Sequence, residues 1–118
     1  MYGLPKDFDV SVFIGKTLDL VCFSVNTVNL IFEKNVSIII MSSFIYQHNC
    51  TENTNIQKIP VSSSDLMCLV GQVIEHAEGH ENGALVLHLD NGQILTILDE
   101  FQQYESYMIN IGDKEIIV

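Results

Sequence analysis

Residues 13–44 and 69–101 read as one pattern written twice, and this repetition limits the possible folds more than any other feature. Phe13-Ile14-Gly15 stands beside Leu69-Val70-Gly71. Val28-Asn29-Leu30-Ile31-Phe32 falls beside Leu85-Val86-Leu87-His88-Leu89, and Glu33-Lys34-Asn35 beside Asp90-Asn91-Gly92. Ile38 and Ile40 meet Leu95 and Ile97, and Phe44 meets Phe101. A single-residue slip after the glycines brings all of these into line. The two copies span about 9–46 and 64–103, and a polar Asn/Thr/Ser-rich loop over about 47–63 joins them. At 118 residues the chain suits a single domain over 1–118.

Each copy alternates apolar and polar residues at the period of a strand. Val28, Leu30 and Phe32 face one way, as do Leu85, Leu87 and Leu89. Asn91-Gly92 between two alternating runs predicts a tight hairpin with a type I′ turn, and Lys34-Asn35 holds the same place in the first copy. The expected strands cover 17–24, 27–33 and 36–42, then 72–79, 84–90 and 93–98. Asp7 or Asp9 is positioned to cap a short helix leading to Phe13, and Ser63 or Ser64 one leading to Leu69, with Gly15 and Gly71 closing them. Gly112-Asp113-Lys114 turns a last strand back as a hairpin. The predicted fold is therefore α+β and mostly β. It has two pseudo-symmetric antiparallel three-stranded meanders, each preceded by a short helix, plus a C-terminal hairpin.

Charge sets limits on function. Fifteen acids face five lysines, arginine is absent, and the formal net charge is −10. Nine acids and no lysine lie between Lys58 and Lys114. Nucleic acid and anionic membrane surfaces need a basic footprint, so neither is an expected partner. Phosphate chemistry usually recruits the arginine fork, which this chain lacks. An acidic surface instead suits a basic protein partner through steered encounter. No apolar run approaches the roughly 20 residues that cross a bilayer. Met1-Tyr2-Gly3-Leu4-Pro5 has neither the basic nor the apolar region of a signal peptide. Cys22, Cys50 and Cys68 are odd in number and widely spaced, which argues for reduced thiols and a cytoplasmic location, with Cys22 and Cys68 packed as small hydrophobes.

The Gly-containing segments 13–18 and 69–73, the run Leu87-His88-Leu89-Asp90-Asn91-Gly92 and the late Tyr104-Glu105-Ser106-Tyr107 together resemble a family of short bacterial proteins catalogued only as a domain of unknown function. The resemblance covers roughly residues 12–118 apart from the central loop. It implies the two-meander fold and no catalytic residues. Some members of that family look like immunity proteins that neutralise a toxin. The chain departs from the pattern in lacking arginine and in placing Asn35 where glycine is usual.

Candidate chemistry is sparse. His76, Glu78 and His80 share one face of a strand, with His88 on the next, as metal ligands can. Gly79 and Gly83 flank a turn there, and a solvated strand end is the favoured reading, so no metal is assigned. Cys50 with His48 lacks an orienting third group or an oxyanion site. Asp99 and Glu100 are adjacent and point to opposite faces of a strand, which does not serve paired acid–base work. No catalytic or cofactor-binding residue is therefore expected. Acids interleaved with aromatics at Asp90, Asp99, Glu100, Phe101, Tyr104, Glu105 and Tyr107 form the candidate interaction patch, the aromatics serving alternatively to pack the final hairpin.

Three functions follow in order. The first is a non-enzymatic, immunity-type interaction protein with a basic partner, with a homodimer formed at an open sheet edge such as the C-terminal strand. The second is a small-molecule-binding module with its site between the two repeats. The third is a metal-dependent enzyme, which requires His76, His80 and His88 to converge.

Overall fold

The computed structural model describes residues 4–33, 35–47, 56–58, 69–100 and 105–118, with the backbone alone at 56–58. These residues form ten strands. The first five are β1 (Leu18–Phe23), β2 (Val28–Phe32), β3 (Val36–Ile40), β4 (Ser43–Gln47) and β5 (Ile56–Lys58). The second five are β6 (Ile74–Gly79), β7 (Leu85–Leu89), β8 (Ile94–Leu98), β9 (Tyr107–Ile111) and β10 (Lys114–Ile117). Among the described residues no helix is long and apolar enough to cross a membrane.

Two five-stranded antiparallel sheets result, ordered β1-β2-β3-β9-β10 and β6-β7-β8-β4-β5. Each predicted meander is present, and each sheet is completed by a hairpin from the other half of the chain. After β3 the chain crosses over Met41 and Ser42, and β4 pairs with β8, setting Phe44 opposite Ile97. After β8 it crosses back, and β9 pairs with β3, setting Tyr107 opposite Ile40. The two crossings meet: the N–H groups of Met41 and Ser42 both donate to the carbonyl of Ser106, at 2.9 and 3.0 Å. In this plan the place of Phe44 is taken by Tyr107, whereas the sequence comparison set Phe44 beside Phe101, which lies outside the described residues. The later strand does not follow at equal spacing, because the second crossing is longer than the first.

The two halves also pair directly. Gly15 N–H donates to Ile74 O and Gly71 N–H to Leu18 O, both at 2.7 Å, while Leu18 N–H reaches Gln72 O and Ile74 N–H reaches Lys16 O, both at 2.9 Å. These bonds flank a bridge between Thr17 and Val73 and obey a local two-fold. Just beyond it both edge strands slip register, at Leu18/Leu20 and at Ile74/His76.

Alternation sets the faces as the sequence predicts. Val28, Leu30 and Phe32, and across the hairpin Val36, Ile38 and Ile40, are all buried. So are Leu85, Leu87 and Leu89, with Leu95 and Ile97. Side chains of both sheets join in one core that also holds Phe13, Leu69, Phe44 and Tyr107. Fully burying one such side chain contributes about 1.5–3 kcal/mol, so the core rather than any turn holds the sheets together.

Four expectations change. The first helix is a single 3-10 turn, Val10–Phe13, capped by Asp9, whose Oδ1 accepts from Ser11 N–H at 3.0 Å. Four residues are too few to nucleate an α-helix, and Phe13 is needed in the core. The second lies mostly outside the described residues. Gly15 does not end a helix but sits third in a type II turn: Ile14 has φ −65 and ψ 130, Gly15 has φ 83, and Lys16 N–H returns to Phe13 O at 3.1 Å. Gly71, with φ 89, closes the matching bond from Gln72 N–H to Leu69 O.

The β7–β8 hairpin is not a type I′ turn either. Gly92 has φ 87, and Asn91 stays at negative φ. Gly92 N–H returns to Leu89 O at 3.1 Å, and Leu89 N–H meets Gln93 O at 2.9 Å, giving a three-residue loop that needs left-handed backbone only at its last position. Asn35, with φ 63, fills that position in the first half. The polar loop about 47–63 contains a strand, β5, which pairs with β4.

Candidate functional site

The predicted interaction patch divides. Asp90 opens the β7–β8 turn, accepts from Val73 N–H at 3.3 Å and donates its own N–H to Val73 O at 2.9 Å. Glu33 does the same for Thr17, at 3.3 and 3.2 Å, so both acids fasten a turn to the bridging segment. Asp99 and Glu100 lie at the other end of β8, roughly 20 Å from Asp90 by the rise per residue of a strand. Asp99 Oδ1 accepts from Ser106 Oγ at 2.7 Å, and exposed Glu100 accepts from Ser43 Oγ at 2.8 Å. Glu105 is half-buried beside them in sequence. Tyr107 is fully buried, and its hydroxyl donates to Gly83 O at 2.7 Å. Burial, and then the charge of Asp99, push that hydroxyl well above the usual tyrosine range. Tyr107 therefore packs the final hairpin, as the alternative reading had it, and offers no surface. Phe101 and Tyr104 lie outside the described residues.

His76 is an exposed residue of β6, His80 is exposed just past the end of that strand, and His88 is half-buried on β7. Glu78 sits between His76 and His80, with its oxygens 3.0 and 3.4 Å from their Nε2 atoms. The rings of His76 and His88, paired across β6 and β7, are 5.4 Å apart. The hydrogen bond with His76 holds the Glu78 carboxyl below the usual range against a small desolvation effect. Among the described residues no three His, Cys, Asp or Glu side chains are arranged to hold a metal ion. The convergence of His76, His80 and His88 required by the metal-enzyme reading is thus not found. Cys22 is exposed rather than packed, because it lies on the outer face of edge strand β1. Cys50, His48 and Cys68 lie outside the described residues.

Two open grooves were not foreseen. The first crosses the outer face of the β1-β2-β3-β9-β10 sheet, has a volume of about 660 Å³, and is lined by Asp19, Ile31, Glu33, Ser37, Asn110 and Asp113. Asn29 also lines it, and its Oδ1 is buried without a hydrogen-bond partner. The second, about 920 Å³, lies between residues 4–10 and the end of β6. Neither could be read from spacing. The first depends on the register that aligns Leu20, Ile31, Ser37, Asn110 and Glu115 across five strands.

No family model matches the chain, and no curated protein or solved structure matches it.

Proposed function

We propose that the chain is a non-enzymatic interaction protein that holds a basic partner against the outer face of its first sheet. The acid-rimmed groove carries this reading. Asp19, Glu33 and Asp113 surround a floor of Ile31, Ser37 and Asn110, with no basic residue among the described lining. Acids around a partly apolar floor attract a cationic surface, speed its encounter and make the complex sensitive to salt. The resemblance to a family with immunity-type members supports the same reading. A cytoplasmic setting suits the exposed thiol of Cys22. A second copy would pair at β10, one of the two edge strands of that sheet.

Affinity capture from the source lysate at low and high salt, read by mass spectrometry, tests the proposal. A basic protein should be retained at low salt and lost both at high salt and with the D19K/D113K double variant. Retention that survives D19K/D113K but fails with E100K/E105K would move the contact to the β8–β9 crossing. Loss of every salt-sensitive partner from the retained set would sink the reading. Light scattering of the purified chain gives its mass, and a monomer mass would remove the β10 pairing.

One observation favours the second reading, a small-molecule-binding module. The groove of about 920 Å³ takes its walls from both halves, Leu4, Phe8 and Val10 from before the first meander and Gly79, His80 and Glu81 from the end of β6.

A further inference from the structure

We infer that the outer face of the first sheet receives an amphipathic α-helix of the basic partner, one with an apolar stripe and its lysines or arginines along a single flank. The inference rests on the basic-partner reading and gives the form of the segment that docks.

Strand register lays this face out in two rows across the five strands. Leu20, Ile31, Ser37, Asn110 and Glu115 form the row nearer the β2–β3 and β9–β10 turns. Cys22, Asn29, Ile39, Met108 and Ile117 form the next, about 7 Å further along the strands. Leu20 and Ile31 of the first row therefore continue into Ile39, Met108 and Ile117 of the second, as one apolar band running from β1 to β10. Leu20 is 49% exposed, and the other four are half-buried. The groove acids Asp19, Glu33 and Asp113 all lie on the turn side of this band. No base occurs in either row or among the described residues that line the groove.

The fold does not require the band to be apolar. The edge strands of the two sheets slip register at matching points, so positions correspond from one sheet to the other. The places of Leu20, Ile31, Cys22 and Ile39 are held on the second sheet by His76, His88, Glu78 and Thr96. Polar side chains thus serve the same strand pairing there.

The layout selects its occupant. The middle of a sheet face offers side chains and no free backbone groups, so a segment crossing it must satisfy its own N–H and C=O groups, as a helix does and an extended chain does not. The band crosses four strand spacings, about 19 Å, which ~13 helical residues cover. Acids on one side of the band call for bases on one side of the helix's apolar stripe, and the long stems of lysine and arginine carry their charge past the apolar contact. A second copy fits poorly, because the same face of that copy would bring acids and no described base.

The test titrates the full chain with a fluorescent helical peptide of leucine, alanine and lysine, its leucines in one stripe and its lysines along one flank. A scrambled peptide of the same composition, with no stripe, is the comparison. Anisotropy should show the striped peptide binding about tenfold more tightly, the Met108 methyl signal should shift in NMR, and the affinity should fall with salt. I39T/M108T should weaken the striped peptide about tenfold and leave the scrambled one unchanged, with circular dichroism reporting that the variant is folded. D19N/D113N should flatten the salt dependence for both peptides. Equal affinity of the two peptides, or a striped peptide indifferent to I39T/M108T, would overturn the helix proposal and leave the basic-partner reading in place. No binding of either peptide at low salt would overturn both.

Discussion

Tyr107, on the first sheet, donates its hydroxyl hydrogen to the carbonyl of Gly83, which precedes β7 on the second, across 2.7 Å. Both ends of this bond are buried. Y107F keeps the ring and leaves the Gly83 carbonyl without this donor, so it should cost about 1–3 kcal/mol of stability. Urea unfolding followed by circular dichroism measures it, and an unchanged midpoint would show that the carbonyl finds another donor.

The same hydroxyl predicts behaviour at high pH. Its folded pKa is raised above the unfolded value by burial first and by Asp99 second. The stability it contributes is therefore fully present below about pH 10, the ordinary tyrosine value, and is lost as pH rises above it. Ultraviolet titration should show the Tyr107 phenolate appearing only together with unfolding. Phenolate absorbance from Tyr107 in a chain that remains folded would contradict this.

Glu78 predicts the opposite sign on the acid side. Its folded pKa is lowered, chiefly by the hydrogen bond with His76. Its contribution is present above the unfolded glutamate pKa and disappears as pH falls through the folded one. NMR titration of the Glu78 side-chain carbon should give a midpoint below that of a free glutamate, and H76A should raise it. An unmoved midpoint in H76A would assign the shift to another neighbour.

Asn35 holds left-handed backbone at φ 63, where its counterpart in the second half is Gly92. Glycine adopts that conformation without a Cβ penalty, and asparagine tolerates it better than alanine does. N35G should therefore leave thermal stability nearly unchanged or raise it by a few tenths of a kcal/mol, whereas N35A should lower it by about 1 kcal/mol. Thermal unfolding of the two variants side by side decides between turn strain and side-chain bonding as the role of Asn35.

Much of the fold is legible in the sequence. The alternation in Val28–Phe32 and Leu85–Leu89 fixes strand type, length and buried face, because burial on one side imposes the period directly. The partner of a strand leaves no such mark. Phe44 and Tyr107 are both buried, yet nothing local says that each belongs to the sheet of the other half. β5 is three residues inside a polar run, and its strand conformation comes from pairing with β4, not from its own composition. The candidate site was harder still to read. A run of acids and aromatics in sequence places Asp90 and Asp99 at opposite ends of one strand and sends Tyr107 inward. The grooved face instead gathers Asp19, Ile31 and Ser37 from the first meander together with Asn110 from β9, far away in the chain.

The exchange of hairpins between the sheets has a consequence for how the chain is made. Synthesis runs from the N-terminus, and β3 emerges with one neighbour, β2, already beside it. Its other neighbour, β9, emerges only after β4 to β8 have been made. The growing polypeptide thus emerges with one edge of β3 still lacking its native neighbour, and closure of that sheet waits for β9. A ribosome stalled before residue 107 would present β3 to whatever strand comes next, including that of a neighbouring nascent chain.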